Sequence, residues 1–378
     1  MADAPAAGSF SFPSAAVHIA DVTMFYAARS GGIRRYLDTK REWLRARECR
    51  HTLLVPARNG CPIDAATLAL PSVPLPLSAG YRLPLGVRRT AKELVRVRPH
   101  LIEAGDPYHL AWAALRARDV LRVPAVFFCH SDLPRLVGAR YGVRAERLAA
   151  RYCRRLYRQF DVVLAPSEFL ARKLKLAGVP QVERQALGVD VTVFDPHRRS
   201  AMLRRRLEAD ANTRVLVYAG RFAAEKNLDR IVEAMRALDR RYLLVLIGSG
   251  ELPQRLPANV RVLPFVGDTV QLATLLASCD AFVHAGDQET YGLAVLEAMA
   301  CGLPVVGAAA AGVEEMLAQG GGVLVAPRSA EALAAGIKQL FASDVASVGH
   351  AARRTAERHA WQPLLEQMLV RYRTLAAH

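Results

Sequence analysis

Cysteines are few in this sequence, and they form no recognised metal or disulfide motif. Six of the 378 residues are cysteines, and they are scattered without a Cys-x-x-Cys pair: Cys49, Cys61, Cys129, Cys153, Cys279 and Cys301. Clustered or regularly spaced cysteines are the usual sign of a zinc site or a disulfide framework, so we expect neither. Most of the six have apolar neighbours, which predicts buried, reduced thiols in a cytoplasmic protein.

Long apolar runs are lacking as well. No segment reaches the roughly 20 apolar residues of a membrane-spanning helix. Residues 1–16, rich in Ala, Pro and Ser, lack the basic-then-apolar order of a secretory signal and are predicted to be a flexible tail. Because 52% of the residues are nevertheless apolar, the chain is predicted to be globular. Its length fits two α/β domains of about 190 residues each.

Acidic residues are scarce relative to basic ones, but only in the first half of the chain. Residues 1–190 hold thirty Lys and Arg against sixteen Asp and Glu, an excess of +14, whereas residues 191–378 hold twenty-one against nineteen, an excess of +2. This asymmetry favours an anionic partner for one domain: a membrane surface, a nucleic acid or an acidic substrate. An arginine-rich composition of the source proteome is the alternative explanation.

Residues 281–307 carry the most specific pattern in the chain. The apolar run Ala281–Ala285 predicts a buried strand, and after a polar turn a short helix is expected from about Gly292 to Cys301. Gly302 and Pro304 end that helix, and a second buried strand follows. In α/β folds, the loop after a strand and the next helix N-terminus face the ligand crevice.

Two carboxylates stand out in this unit. Glu289 lies on the loop, and Glu297 lies inside an otherwise apolar helix, where an unused carboxylate is costly. If the residues between them are mostly helical, the two groups lie roughly 12 Å apart along the axis. That separation is close to the span from the ribose of a sugar nucleotide to its sugar. The alternative is a Glu that caps a neighbouring helix or pairs with an Arg.

The pattern Glu289-x7-Glu297 followed by Ala-Met-Ala-Cys-Gly-x-Pro-Val-Val resembles the signature of retaining GT-B glycosyltransferases of family GT4, or glycosyltransferase group 1. The resemblance implies an α/β fold with two Rossmann-like domains that face a deep interdomain cleft. It implies an acceptor-side domain at residues 17–195, a donor-binding domain at 196–360, and a C-terminal helix at 361–378 that packs back on the first domain. In that family the first Glu contacts the transferred sugar and the second contacts the ribose hydroxyls.

A second stretch, Arg214 to Leu228, predicts a strand, a basic turn and a helix start, with Arg221 and Lys226 five residues apart. Backbone donors, a bidentate Arg and a Lys are suited to a diphosphate, although a solvated basic helix start has the same pattern. The glycine pair Gly31-Gly32 opens a helix after the first strand, and it resembles the family's loop beneath the donor diphosphate. By itself, such a pair is more often a simple turn.

The resemblance extends these assignments to a full set of site residues. His130, at the end of a predicted strand, is expected beside the transferred sugar, with a structural histidine as the alternative. The expected catalytic residues are Glu289, His130, Arg221 and Lys226. The expected donor-binding residues are Gly31, Gly32, Arg221, Lys226, Gly248, Val266, Glu289, Thr290, Tyr291, Gly292, Leu293 and Glu297.

Acceptor-side candidates lie at the end of another predicted strand of the first domain. They are Glu103, Asp106 and His109, for which a structural role is an equal alternative. The acceptor itself is expected to be a glycan or a lipid-linked sugar.

The reaction implied is retaining transfer of a hexose from a UDP- or GDP-sugar. In this mechanism, the leaving phosphate helps to deprotonate the acceptor, and no protein nucleophile is needed. The chain contains no Asp-x-Asp, so we expect neither a metal nor another cofactor. The alternatives are a sugar-nucleotide epimerase or another GT-B enzyme, such as a phosphorylase, and a basic nucleic-acid-binding protein.

The excess of basic residues recurs on predicted helices of the first domain, and one of them has an apolar stripe. That helix, Arg144 to Phe160, carries Leu148, Tyr152 and Leu156 at helical spacing. A basic amphipathic helix can lie on an anionic bilayer, which predicts a cytoplasmic enzyme peripheral to the inner face of the membrane. The alternative is that the stripe packs on its own sheet and the arginines are merely solvated.

Overall fold

The computed structural model describes residues 17–27, 31–57, 64–75 and 81–377. Within these residues the chain forms two parallel sheets with helices packed against them, as predicted. The predicted flexible tail at residues 1–16 and Cys61 lie outside the described residues. The other five cysteines are free and buried, as expected for structural thiols.

The first half of the chain supplies a seven-stranded sheet and a separate two-stranded one. Its strands are β1 (His18–Val22), β2 (Arg50–Pro56), β3 (Thr67–Leu70), β4 (Ser72–Pro74), β5 (Arg82–Pro84), β6 (Leu101–Ala104), β7 (Ala125–Phe128), β8 (Val162–Ala165) and β9 (Val182–Arg184). Its helices are α1 (Gly32–Arg45), α2 (Val87–Val97), α3 (His109–Leu121), α4 (Leu133–Tyr141), α5 (Val143–Tyr157) and α6 (Glu168–Leu176). The sheet order is β3-β2-β1-β6-β7-β8-β9. Every residue of β1, β6, β7 and β8 is buried, which is typical of parallel strands covered on both faces.

The second half repeats this architecture with fewer strands. Its strands are β10 (Arg214–Phe222), β11 (Tyr242–Gly250), β12 (Val260–Leu263), β13 (Ala281–His284), β14 (Val305–Ala308) and β15 (Gly322–Val325). Its helices are α7 (Ala201–Arg206), α8 (Leu228–Arg236), α9 (Thr269–Ala277), α10 (Leu293–Ala300), α11 (Ala311–Leu317), α12 (Ala330–Ala342), α13 (Val345–Glu357) and α14 (Trp361–Ala376). The sheet order is β12-β11-β10-β13-β14-β15.

The chain order reverses between β1 and β6 in the first sheet, and between β10 and β13 in the second. Loops at the carboxyl ends of such neighbouring strands diverge and leave a crevice, where α/β proteins bind their ligands. The strand–loop–helix–strand unit predicted for residues 281–307 is observed as β13, α10 and β14. The fold therefore places the loop with Glu289 at the crevice of the second sheet.

The two domains are joined twice. The connection at 185–213 leads from β9 to β10 and contains the predicted boundary at 195/196, which stays a prediction. The last helix, α14, returns to the first domain and contacts α1 and β6, as the resemblance implies. Val189 and Ala360 form a short parallel bridge where the outgoing and returning segments meet. This crossing lies beside the interdomain cleft.

The antiparallel pair β4–β5 lies in the Pro-rich stretch between β3 and α2. The last three residues of β11, Gly-Ser-Gly, pair with the end of β10. One local prediction needs correction. On α5, the predicted apolar stripe is split, because Leu156 is fully buried in the domain core while Leu148 is 69% exposed. Among the described residues, no helix is long and apolar enough to cross a membrane.

Candidate active site

A cavity of about 280 Å³ lies between the two domains at the carboxyl ends of both sheets. Most of the predicted site residues line it. They are Gly31, Gly32, His130, Arg221, Lys226, Val266, Glu289, Thr290, Tyr291, Gly292, Leu293 and Glu297. Three predicted acceptor-side residues and Gly248 are not among its lining residues. The fold thus brings residues from distant parts of both domains to one place.

Glu289 is the centre of a charged cluster on the wall of the second domain. Lys226 donates a hydrogen bond to its Oε2, and His284 Nε2 lies 3.4 Å from the same oxygen. Burial alone would raise the pKa of Glu289, but the Lys226 charge and the His284 contact hold it well below its ordinary value. The carboxylate is therefore ionised at neutral pH, and it faces the cavity as a hydrogen-bond acceptor.

His284 is a site residue that the sequence analysis missed. It is the last residue of β13, it is 3% exposed, and it lines the cavity. The signal was available, because a polar residue at the carboxyl end of a buried parallel strand faces the crevice. The same rule predicts His130, which follows strand β7 by two residues, as a residue that faces the crevice.

The predicted phosphate-binding cations occupy the end of β10 and the turn that follows. Arg221 is about half exposed and pairs with Glu225 at 3.2 Å, while Lys226 is directed to Glu289. Gly248 is placed differently from the prediction, since it belongs to β11 and a Cβ there would lie 1.9 Å from the Gly220 carbonyl oxygen. Its neighbour Ser249 lines the cavity instead.

The glycine pair forms the wall on the side of the first domain. Gly31 precedes α1, whose first backbone N–H groups lie at the cavity without intrahelical acceptors. A Cβ on Gly32 would lie 2.8 Å from Leu293 Cδ1 of the opposite domain, whereas a Cβ on Gly31 would meet nothing within 4 Å. Gly32 therefore permits close approach of the domains, and Gly31 leaves space for a ligand.

Glu297 lies on α10 and its side chain is 5% exposed. Its carboxylate pairs with Arg35 of α1, so an ion pair joins the two domains across the cavity. This is the arginine pairing that the sequence left open as an alternative to ribose binding. The two roles are compatible, because Glu297 lines the cavity and a carboxylate has a second oxygen.

His130 faces the cavity from the first domain. Its ring stacks on Phe128 with centroids 4.3 Å apart, and burial lowers its pKa to about 3, so the imidazole is neutral at physiological pH. Its backbone carbonyl accepts a hydrogen bond from Thr290 Oγ1 at 2.8 Å. The Tyr291 hydroxyl donates to the Leu187 carbonyl, so the loop after Glu289 is held by the first domain.

The three acceptor-side candidates do not line the cavity. Glu103 is buried and accepts hydrogen bonds from Lys40, Tyr36 and Tyr372. Asp106 is buried and accepts from the backbone N–H of Met24 at 2.8 Å. His109 is exposed at the start of α3. Glu103 and Asp106 thus bind protein groups, as the structural alternative states, and the acceptor-side assignment of all three is not supported by their positions.

The described parts of the chain contain no group of three or more His, Cys, Asp or Glu side chains placed to hold a metal ion. Metal independence of the reaction stays a prediction.

Two family models match the chain. "Glycosyltransferase Family 4" matches residues 30–193, and "Glycosyl transferases group 1" matches residues 200–358. A GDP-mannose-dependent alpha-(1-6)-phosphatidylinositol dimannoside mannosyltransferase of Mycobacterium tuberculosis is 30% identical over 369 residues, which cover 93% of this chain and 95% of that protein. A GDP-mannose-dependent alpha-mannosyltransferase of Mycolicibacterium smegmatis is 32% identical over 297 residues, covering 77% of this chain and 78% of that protein.

Solved structures show the same fold. Sucrose-phosphate synthase from Thermosynechococcus elongatus superposes with a TM-score of 0.80 at 22% identity, covering 96% of this chain and 99% of that chain. Anabaena Alr3699/HepE in complex with UDP and glucose gives a TM-score of 0.74 at 19% identity, covering 96% of this chain and 100% of that chain.

The fold is GT-B, and the chain belongs to glycosyltransferase family 4, group 1. It is a glycosyltransferase that uses a nucleotide sugar. The family match favours a glycosyltransferase over the alternative of a nucleic-acid-binding protein.

Proposed function

We propose that this enzyme transfers mannose from GDP-mannose, with retention of the anomeric configuration, to a glycan or a lipid-linked acceptor. The observation that carries the proposal is the Lys226–Glu289 pair in a cavity that also contains Glu297 and the Gly31-Gly32 turn. The two mycobacterial relatives support the choice of donor, because their names specify GDP-mannose.

The donor diphosphate would lie between the basic turn of the second domain and the start of α1. Lys226, Arg221 and the first backbone N–H groups of α1 would face its oxygens. These groups would stabilise the negative charge that develops on the leaving diphosphate. Lys226 is already held at the cavity by Glu289, so little reorganisation is needed when the donor binds.

Glu289 and His130 would flank the transferred sugar. The ionised Glu289 can accept hydrogen bonds from sugar hydroxyls, and the neutral imidazole of His130 can donate or accept one. The leaving phosphate itself would take the proton from the acceptor on the same face of the sugar. No protein nucleophile and no metal ion is needed for this step.

The donor is tested by thermal shift with GDP-mannose, UDP-glucose and ADP-glucose. A ligand at a hundred times its dissociation constant stabilises the folded state by about 2.7 kcal/mol. We expect GDP-mannose to give the largest stabilisation of the three nucleotide sugars. Stabilisation by UDP-glucose alone would show that the base and sugar are assigned incorrectly.

Retention is tested by NMR of the product formed from α-linked donor. We expect an α-linked product. A β-linked product would contradict the retaining mechanism, whatever donor is used.

We propose further that the enzyme acts at the cytoplasmic face of a membrane, through the exposed face of α5. Arg144, Arg147, Leu148 and Arg151 share one side of this helix, and all four are exposed. Each cation near an anionic bilayer contributes on the order of 1 kcal/mol, and the exposed Leu148 adds apolar contact. This surface is smaller than the predicted stripe, because Leu156 belongs to the core.

Liposome co-sedimentation tests this localisation. We expect binding to anionic but not to neutral vesicles, weakened by salt and by replacing the three arginines with glutamine. The matched control replaces three exposed arginines elsewhere, Arg205, Arg206 and Arg240, and should bind as the wild type does. Equal loss of binding in both triple variants would show a general charge effect and contradict a specific surface.

A further inference from the structure

Arg35 and Glu297 form an ion pair whose partners belong to different domains. Arg35 lies in the first turn of α1, three residues after Gly32, and Glu297 lies in the middle of α10. Both side chains line the donor cavity, and both also line an adjoining cavity of about 370 Å³ beside the domain connection. The pair therefore stands where the two cavities meet.

The surroundings of Glu297 make this partner important. The neighbouring residues of α10 are apolar and buried, and the carboxylate has little contact with solvent. An ionised carboxylate in such a place is costly unless a cation or hydrogen-bond donors compensate it. Because the cation comes from the opposite domain, this compensation depends on the contact between the two domains.

Arg35 is itself held in place. About a quarter of its side chain is exposed, and its guanidinium lies 5.8 Å from the centre of the Phe194 ring, which belongs to the domain connection. Burial lowers the pKa of Arg35 to about 10, so the group remains charged at neutral pH. The guanidinium contacts Glu297 through Oε1. A carboxylate has a second oxygen that can accept hydrogen bonds from a ligand.

We propose that Arg35 is a positioning residue for the nucleoside diphosphate. It orients Glu297 toward the ribose hydroxyls, and it makes the binding of the ribose by Glu297 depend on closure of the cleft. The inference rests on the proposed role of Glu297 in the function above. Donor binding and domain closure are then linked, because each favours the arrangement in which Arg35 contacts Glu297.

The test measures binding of GDP and of 2′-deoxy-GDP by titration calorimetry to the full chain. For the Arg35→Ala variant, we expect GDP to bind about tenfold more weakly, or about 1.4 kcal/mol. We also expect the preference for GDP over 2′-deoxy-GDP to shrink, since the carboxylate is no longer oriented. Arg35→Lys should recover part of both losses, and it replaces the alanine variant if that chain does not fold.

Donor kinetics and a double variant with Glu297→Gln provide two further measurements. We expect Arg35→Ala to raise the KM for the donor while kcat changes less than threefold. In a Glu297→Gln background, the same change should have a much smaller effect on GDP binding, because the two residues act together. Arg45→Ala removes a charge from the exposed end of the same helix and should bind GDP as the wild type does.

The outcomes separate this inference from the proposed function. An unchanged preference for GDP over 2′-deoxy-GDP in both Arg35 variants overturns the positioning role. Additive losses in the double variant overturn it as well. If Glu297→Gln alone leaves the preference unchanged, the ribose role of Glu297 is wrong, and the inference that depends on it fails for that separate reason.

Discussion

Each domain contains a lysine–glutamate pair at the end of a parallel strand, and the two pairs differ in what covers them. In the first domain, Lys40 donates to Glu103 at 2.7 Å and to Asp21 at 2.8 Å, and all three side chains are almost completely buried. In the second domain, Lys226 donates to Glu289, whose side chain is 21% exposed and lines the cavity. Covering by α1 and α14 makes the first pair structural, whereas the second is open to a ligand.

The pKa of Glu289 is shifted in the opposite direction from the pKa values of Glu103 and Asp106. Burial raises the pKa of Glu103, although Lys40 and Tyr372 oppose this shift. Burial also raises the pKa of Asp106, to about 6. At Glu289, by contrast, Lys226 and His284 outweigh burial and lower the pKa. Glu289 therefore stays ionised and can bind sugar hydroxyls, whereas ionisation is disfavoured at Glu103 and Asp106. Asp21, which also contacts Lys40, differs from these two, because Lys40 and His51 outweigh its burial and lower its pKa to about 2.

Replacing Lys40 with Met should have the largest effect on stability. It leaves Asp21 and Glu103 buried without their cation, and loss of one partner from a buried ion pair typically costs about 3–5 kcal/mol. Urea denaturation followed by circular dichroism measures the change in the free energy of unfolding.

The control for that variant is Lys92→Met, at an exposed position of α2, which should change stability by less than about 0.5 kcal/mol. A Lys40→Met protein as stable as this control would show that the first pair is not structural.

Replacing Lys226 with Ala should lower the activity strongly and the stability only slightly. We expect kcat for transfer to fall about a hundredfold to a thousandfold, or about 2.7–4 kcal/mol, because a charge-stabilising group is lost. Glu289→Ala should cause a similar loss. The free energy of unfolding should change much less than in Lys40→Met, because Lys226 and Glu289 line the cavity and are not enclosed in the core.

The matched control is Lys338→Ala, on an exposed position of α12, which should retain normal turnover. Near-normal turnover in the folded Lys226→Ala and Glu289→Ala proteins would remove both residues from the active site.

Replacing Asp106 with Asn tests the protonation contrast. Because its pKa is about 6 in the folded chain against an ordinary 3.8, Asp106 holds a proton between these pH values that the unfolded chain has lost. Its contribution to stability therefore falls as the pH rises from about 4 to about 6, and it is constant above. Each pKa unit corresponds to about 1.4 kcal/mol, so the total is at most roughly 3 kcal/mol.

The measurement is the free energy of unfolding of the wild type and of Asp106→Asn from pH 4 to pH 7. The asparagine can still accept the backbone hydrogen bond from Met24. We expect the variant to gain stability relative to the wild type across this range. A constant difference would show that Asp106 does not titrate there.

The sequence located the residues of the second pair at the cleft, but it did not separate the buried Glu103 from a ligand-binding carboxylate, and the reason is physical. The signals around Glu289 are local: a buried strand, a polar turn and a helix ended by Gly302 lie within about twenty residues. Glu103 has the same local signal, an acid at a strand end. Its partners are Lys40 and Tyr372, which are 63 and 269 residues away. Only the packing of α1 and α14 decides that Glu103 is covered.

The same limit applies to the Arg35–Glu297 pair, whose partners lie on helices of different domains. The sequence places Glu297 on an apolar helix and Arg35 beside a glycine turn, but their contact depends on how the domains close. Signals at strand ends and helix caps therefore predict the helices and strands. They do not predict the partner of a side chain when that partner lies on a helix distant in the sequence.

The smallest effect is expected at Tyr372, which joins the C-terminal helix to the covered pair. Its hydroxyl donates to Glu103 Oε2, the oxygen that also contacts Lys40, while Tyr36 donates to Oε1 at 2.9 Å. Tyr372→Phe removes one charge-assisted hydrogen bond, and Lys40 and Tyr36 still satisfy the carboxylate. We therefore expect a loss of about 1–2 kcal/mol, well below that of Lys40→Met.

The hydroxyl of Tyr36 offers a matched comparison, because it belongs to α1 and not to the returning helix. Tyr36→Phe and Tyr372→Phe each remove one donor from Glu103. The second removes a strong hydrogen bond made by α14 itself, whereas the first removes only a weak contact of Tyr36 with Met368 of α14. Limited proteolysis should therefore release the C-terminal helix faster in Tyr372→Phe than in Tyr36→Phe. Equal cleavage rates would mean that apolar packing of α14 holds the helix, and that the covered pair stabilises the first domain alone.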